Sequence, residues 1–186
     1  MANKKKKTGK NGHVNCGNWK NCTNLRFLVD FFGAAGLTPA SFSRLTANPN
    51  STASALRRQL SPDVDDMQLS KAESIIESIG YKLEVSFRSE IMSEMTTITH
   101  GNGDYIVDLP SMINTYSSKY PRLGFLKCFM ARRHITMSAL AERIGMGPGA
   151  IHNWFQADDI RISHLIAIQQ AYKLQINFTI KRNTNN

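Results

Sequence analysis

The amino-acid sequence predicts a mainly α-helical protein with a small β component, built from two tandem four-helix units that are each followed by a β-strand. Three observations predict this fold. The chain contains an internal repeat, apolar residues recur at helical spacing within each copy, and each copy ends in alternating polar and apolar residues. A hydrophobic fraction of 41% in 186 residues is sufficient to form packed cores.

The repeat is visible where each copy begins and where it ends. Residues 25–28 read Leu-Arg-Phe-Leu, and residues 123–126 read Leu-Gly-Phe-Leu. Residues 80–87 and residues 171–178 both contain Tyr-Lys-Leu followed by an alternating run that ends in Phe. The first copy is seven residues longer in its middle. Two small domains of the same type are the economical explanation.

The second copy has a clear signal at the start of each helix after the first. Thr136 is a good N-cap for the second helix, and Gly145 can end that helix in the left-handed conformation. Pro148 suits the first position of the third helix, and Ser163 is predicted to cap the fourth. The residues predicted to face inward are Leu123, Leu126, Phe129, Met130, Leu140, Ala141, Ile144, Ile151, Trp154, Leu165, Ile166 and Ile168. Residues 174–181 then alternate as a strand.

The first copy repeats this order of signals with variations. Thr38 precedes Pro39 at the start of the second helix, and Asn50 or Ser51 is predicted to cap the third. Residues 70–73 (Ser-Lys-Ala-Glu) have the spacing of a capping box that opens the fourth helix. The inward residues are predicted to be Phe42, Leu45, Leu56, Leu60, Ile75, Ile76 and Ile79, followed by Leu83, Val85 and Phe87 in the strand.

These signals divide the chain into four parts: a basic N-terminal arm (1–24), a first domain with its trailing strand (25–90), a linker (91–120), and a second domain with its trailing strand (121–186). In the linker, residues 95–99 and 105–109 flank a Gly-rich turn and are predicted to form a β-hairpin.

Lone strands would leave open edges, so we expect the two trailing strands to pair with the linker hairpin or with each other. That arrangement would make the chain an intramolecular pseudo-dimer. Exchange of strands between two chains, giving a homodimer, is the alternative, and the sequence does not choose between them.

The charge of the chain favours nucleic acid as a partner. The net charge is +9, and it divides into +6 for residues 1–24, −3 for residues 25–120 and +6 for residues 121–186. Such basic segments bind phosphate backbones by releasing counterions. We therefore expect the arm lysines to contact the DNA backbone, namely Lys4, Lys5, Lys6, Lys7 and Lys10.

The second copy also carries a specific pattern of residues. Leu140-Ala141, Gly145-Met146, Ile151 and Trp154 follow Thr136 at spacings that resemble the Xre/Cro (lambda-repressor-like) helix-turn-helix family. The first copy resembles this family less closely, since Phe42-Ser43 replaces the Leu-Ala pair and no glycine makes the turn. The resemblance implies two tandem helix-turn-helix domains in a sequence-specific double-stranded DNA-binding transcription regulator, most simply a repressor.

In this family the third helix of each domain enters the major groove, so its outward polar residues are the candidate base readers. They are Ser51, Thr52, Ser54, Arg57 and Arg58 in the first copy, and Gly147, Gly149, His152 and Asn153 in the second. Arginine suits guanine and asparagine suits adenine. The third helix of the second copy contains no Lys or Arg. We therefore expect basic residues elsewhere in that copy to contact phosphates, namely Lys127, Arg132, Arg133 and Arg143. A solvated helix face is the alternative interpretation of both sets.

No pattern indicates an enzyme, a metal or another cofactor. His13, Cys16 and Cys22 lie close in sequence but lack the paired spacing of a zinc site. Asp63, Asp65 and Asp66 lack the glycine and glutamate of a calcium loop, so we interpret them as a solvated loop. Phe31, Phe32 and Phe129 are expected in the core.

Two features bear on location and on other partners. Three cysteines and the lack of a long apolar run indicate no membrane span and a cytoplasmic, nucleoid-associated protein. The rival function is an antitoxin-like or other protein-interaction module, in which only one unit contacts DNA and another surface binds a toxin or the transcription machinery.

Overall fold

The computed structural model of the chain describes residues 21–46, 52–89, 92–99 and 112–183. In these residues the helices are α1 (Arg26–Ala34), α2 (Pro39–Thr46), α3 (Ala53–Gln59), α4 (Leu69–Glu77), α5 (Met112–Lys119), α6 (Gly124–Arg132), α7 (Met137–Arg143), α8 (Pro148–Ala157) and α9 (Ile162–Tyr172), and the strands are β1 (Tyr81–Ser89), β2 (Met92–Thr99) and β3 (Leu174–Arg182). The predicted fold class, mainly α with a small β component, is confirmed.

The order of four helices and a strand occurs twice, as α1–α4 with β1 and as α6–α9 with β3. We call these the first unit and the second unit. Their backbones also match at unusual positions: Gly36 and His134 have positive φ before α2 and α7, and Gly80 and Lys173 have positive φ directly before the two strands. The repeated sequence thus forms repeated local structure.

Three of the six predicted helix starts are confirmed. The Oγ atoms of Thr38 and Thr136 accept the backbone N–H groups of the third residues of α2 and α7, at 3.1 Å in both cases. Pro148 begins α8, and Gly145 has a φ of +71°. The predicted cap of α3 is wrong, because Thr52 takes that place with its Oγ1 accepting Ala55 N–H at 3.3 Å.

The buried residues of both units belong to one hydrophobic core. The side chain of Phe87 lies outside what the structure describes. Nearly all the other predicted inward residues are buried or half-buried, with Leu56, Leu140 and Ile151 wholly inaccessible to solvent. Leu45 is the exception: it lies in the last turn of α2 and is 66% exposed, whereas Phe42 one turn earlier is fully buried. The prediction that Leu45 faces inward is therefore wrong.

One helix was not predicted. Helix α5 lies in the segment assigned to the linker and packs closely on α6. Gly124 allows this contact, because a Cβ atom there would lie 3.0 Å from the Cα atom of Ser117.

The three strands form one antiparallel sheet in the order β2-β1-β3. Strand β1 pairs with β3 along its full length, from Tyr81 opposite Arg182 to Ser89 opposite Leu174. The sequence left open whether the trailing strands pair with each other or with the linker hairpin. Strand β1 pairs with β3, so the trailing strands do pair with each other in this chain. Residues 95–99 do form a strand, β2, but its described partner is β1. The other predicted hairpin strand, 105–109, lies outside the described residues.

A second contact between the units joins the loops that follow α3 and α8. Leu69 N–H donates to the carbonyl of Ile160 at 2.8 Å, and Ile162 N–H donates to the carbonyl of Met67 at 3.0 Å. These two bonds are equivalent under exchange of the units. They form a short antiparallel bridge on the axis that relates the two halves of the chain.

Each unit caps the fourth helix of the other unit. Asp159 accepts the N–H and the hydroxyl of Ser70 at 3.0 and 2.6 Å, and Asp66 accepts the N–H of Ser163 at 3.0 Å. The carboxylates satisfy N–H groups in the first turns of α4 and α9. The predicted capping box at residues 70–73 and the predicted cap at Ser163 are therefore wrong.

Two further aspartates hold the start of the first helix in each unit. Asp65 accepts the N–H groups of Thr23, Asn24 and Leu25 at 2.8–3.0 Å, and Asp158 accepts those of the two residues before α6 at 2.9–3.1 Å. Burial raises the pKa of Asp65, but these hydrogen bonds outweigh it and the pKa lies below its ordinary value. The interpretation of this aspartate loop as solvated is wrong for Asp65, which is 7% exposed.

Removing the reciprocal caps should destabilise the fold. We expect Asp66→Ala and Asp159→Ala each to lower the free energy of unfolding by about 1 kcal/mol, the usual contribution of a side-chain cap. Urea denaturation at pH 7 measures the change, and Asp63→Ala, an exposed carboxylate in the same loop, is the matched control. Equal stabilities for all three variants would contradict the assigned roles.

Candidate nucleic-acid interface

Helix α3 of the first unit presents a polar face to solvent. Leu56 and Leu60 are fully buried and anchor the helix from below. Ser54 and Arg58 are exposed, and Arg57 is half-buried. Of the predicted residues in this unit, Ser51 alone lies outside the described residues.

Some side chains of this face form hydrogen bonds within the protein, and others do not. Thr52 Oγ1 accepts the N–H of Ala55 as the N-cap and lies 3.2 Å from Ser54 Oγ, so both hydroxyls take part in the helix start. Within the described part of the chain, Arg57 and Arg58 form no ion pair shorter than 4 Å with an acidic side chain. Their guanidinium groups are therefore available to an external acceptor.

Helix α8 of the second unit presents the corresponding face. Ile151, Trp154 and Phe155 are buried beneath it. The predicted residues on this face are all exposed, namely Gly147, Gly149, His152 and Asn153. Gly147 is the N-cap, and it provides no side-chain oxygen to the first turn of the helix.

The two faces match position by position but differ in chemistry. Thr52 and Gly147 are the N-caps, and Leu56 and Ile151 are the buried anchors four positions later. The two residues after the anchor are Arg57-Arg58 in α3 and His152-Asn153 in α8. The first face thus carries two permanent cations, and no Lys or Arg lies within α8.

Two of the cations expected to contact phosphate beside α8 are engaged within the protein. The Nζ atom of Lys127 lies 4.9 Å from the ring centroid of Phe155. Arg143 donates two hydrogen bonds of 3.3–3.4 Å to the carbonyl of Ala171 at the end of α9. The Arg143 side chain therefore caps a helix end in this structure, and its contact with phosphate stays a prediction.

His164 in α9 supports the candidate face from behind, and the sequence did not single it out. Its ring stacks on Trp154 with a centroid distance of 5.0 Å. Burial lowers the pKa of His164, while Asp66 opposes that shift. The neutral ring is favoured, which suits an aromatic contact under α8.

A buried ion pair helps to fix the positions of the two faces. Glu73 in α4 of the first unit accepts a 2.6 Å hydrogen bond from Nε of Arg122, which directly precedes the second unit's first helix. Burial raises the pKa of Glu73 to about 7, although Arg122 opposes this shift. Nothing in the local sequence pairs these residues, because they belong to different copies of the repeat.

Other kinds of site receive no support from the part of the chain that the structure describes. No group of three or more His, Cys, Asp or Glu side chains lies together in an arrangement that could hold a metal ion there. Among the same residues, every helix is too short or too polar to cross a bilayer. All five arm lysines, together with His13 and Cys16, belong to residues 1–20, so the predictions made for them lie outside the described residues.

Comparisons with protein-family models, with curated proteins and with solved structures found no match to this chain.

The burial of Glu73 should make stability depend on pH. The pKa of Glu73 is higher in the folded protein, about 7, than its ordinary value of 4.5. As the pH rises across this interval, the Glu73 carboxyl loses its proton in the unfolded state before it does so in the folded state. The free energy of unfolding therefore falls, by about 3 kcal/mol at most.

We expect Glu73→Gln to remove that decline between pH 4.5 and 7, as measured by urea denaturation at closely spaced pH values. Glu142→Gln, at an exposed position in α7 that does not influence the pKa of Glu73, is the control and should keep the decline. A decline of equal size in the Glu73→Gln variant would show that another group causes it.

Proposed function

We propose that the chain is a sequence-specific double-stranded DNA-binding transcription regulator, most simply a repressor. In this proposal α2–α3 and α7–α8 are two helix-turn-helix units of the Xre/Cro type. The observation that carries it is the pair of matched, solvent-exposed polar faces on α3 and α8, in a chain of net charge +9. Neither face is covered by the rest of the described protein.

The architecture around each face supports this reading. Helix α2 packs against α3 and α7 packs against α8, so that each third helix rests on a short preceding helix. In a helix-turn-helix the third helix of such a unit enters the major groove, and its neighbour braces the DNA backbone. Leu56 and Ile151 hold the two helices by their inner sides and leave the outer residues free for base edges.

The basic arm completes the proposal. Its lysines, Lys4 to Lys7 and Lys10, would track phosphates beside the helices and add affinity that does not depend on base sequence. The sequence-specific part would come from the residues of α3 and α8, since phosphate contacts position a protein while base contacts specify the site.

A protein-interaction function is the second candidate, and one observation favours it for the first unit. The two most exposed large apolar side chains among the described residues, Leu45 at 66% and Val64 at 39%, lie in the segments before and after α3. An antitoxin-like module would use such residues to bind a protein partner. Under this alternative only the second unit contacts DNA.

Removal of both α3 arginines tests the assignment of the first face. We expect Arg57→Ala with Arg58→Ala to weaken binding to a cognate duplex by about 1–3 kcal/mol and to relax base preference in one part of the site. Fluorescence anisotropy on a duplex recovered from a random pool measures both effects.

The control variant, Lys119→Ala with Arg182→Ala, removes two charges on α5 and β3 and leaves every residue of α3 and α8 unchanged. It should weaken all duplexes slightly and equally. An unchanged base preference in the Arg57/Arg58 variant would assign these arginines to a solvated face and favour the protein-interaction alternative.

The salt dependence of binding tests the electrostatic part of the proposal. Contact with about six phosphates predicts a slope near −5 when the logarithm of the binding constant is plotted against the logarithm of the salt concentration. Titrations of the full chain at several NaCl concentrations give this slope. A shallow slope together with sequence-blind binding would contradict a DNA-binding function.

A further inference from the structure

We propose that one copy of this chain binds one duplex site whose two halves differ in sequence, and that it binds in a single orientation. The first unit would read a guanine-containing half, and the second unit would read a half that contains adenine. The inference rests on the proposed DNA-binding function and goes beyond it, because it specifies the symmetry, the stoichiometry and the base content of the target.

One chain contains both units and the contacts that join them. The two units are joined by the β1–β3 pairing, by the backbone bridge between residues 67–69 and 160–162, and by the Glu73–Arg122 ion pair. All three contacts lie within one chain, and the buried residues of both units form a single core. One chain therefore already holds two faces in a fixed relation, and no second copy is needed to supply the other.

The loops that follow α3 and α8 contact each other in a symmetric way. The bridge between the loops is symmetric, since Leu69 donates to Ile160 as Ile162 donates to Met67. Helices α3 and α8 directly precede these loops, so the two helices occupy equivalent places in the two units. A two-fold arrangement of this kind matches a duplex site made of two half-sites.

The corresponding positions of the two faces carry side chains of different chemistry. Where α3 has Arg57 and Arg58, α8 has His152 and Asn153. An arginine forks onto the O6 and N7 acceptors of guanine, whereas an asparagine pairs with the N6 and N7 atoms of adenine. The two faces therefore favour different base pairs at corresponding positions.

The starts of the two helices differ as well. Thr52 and Ser54 place hydroxyl groups on the first turn of α3, at the positions where α8 has Gly147 and Gly149. A helix start without side chains lets the backbone come closer to the duplex than one with two hydroxyls. A palindromic site repeats one half-site, so it would suit the face on α3 or the face on α8 but not both. An asymmetric site provides a suitable half-site for each face.

The test begins with selection of bound duplexes from a random pool by the full chain. The recovered duplex is then compared with two palindromes, one built from each half in duplicate. We expect the asymmetric duplex to bind about tenfold or more tightly than either palindrome, and native mass spectrometry to show one chain per duplex.

Two variants assign the halves. Arg57→Ala with Arg58→Ala should abolish discrimination in one half only, and His152→Ala with Asn153→Ala should abolish it in the other half only. Circular dichroism checks that both variants fold. If the first does not, Arg58→Ala alone, at an exposed position, replaces it.

The outcomes separate this inference from the function beneath it. A palindromic selected motif, two chains on one site, or a variant that changes both halves alike would overturn the inference and leave DNA binding intact. Selection that returns no motif at all would overturn the proposed function, and this inference with it.

Discussion

The structure depends on an exchange of carboxylates between its two halves. Asp159 of the second unit caps the first turn of α4, and Asp66 of the first unit caps the first turn of α9. Neither helix obtains this cap from its own unit, so the start of each fourth helix is satisfied only when both units are present and correctly placed. The short backbone bridge between the same loops and the β1–β3 pairing extend this contact into one continuous interface.

This interface also determines what the molecule can present to a partner. The loops that cross the axis follow α3 and α8 directly, so the reciprocal caps fix both helices relative to one axis. Asp66 and Asp159 are engaged across this interface, and Asp65 and Asp158 hold the first helix of their own units. All four carboxylates therefore form hydrogen bonds inside the protein and add little negative charge to the outer faces. The proposed DNA-binding function requires both properties, two faces held together and outer surfaces that do not repel phosphate.

The sequence predicted those features that depend on neighbouring residues. The alternation of polar and apolar residues indicated the strands, and helical spacing indicated which sides of α3 and α8 face solvent. Thr136 and Gly145 are local signals that indicated the start and the end of α7. It failed where a residue is satisfied by the other copy of the repeat. The Ser70-to-Glu73 spacing imitates a capping box, but Ser70 donates to Asp159, a partner that no local pattern can identify. For the same reason, the sequence predicted two similar units and offered the β1–β3 pairing as one way to join them, but it did not predict the backbone bridge or the reciprocal caps.

The central claim is that the two units join within one chain through this bridge. Gln68 and Arg161 lie opposite each other between its two hydrogen bonds, at the kind of antiparallel position where Cα atoms come within about 4.5 Å and a disulfide can form. The account predicts that Gln68→Cys with Arg161→Cys, in a chain with Cys16→Ser, oxidises to a disulfide-linked monomer on non-reducing electrophoresis. Disulfide-linked dimers as the main product, or thiols that stay free under oxidation, would contradict it.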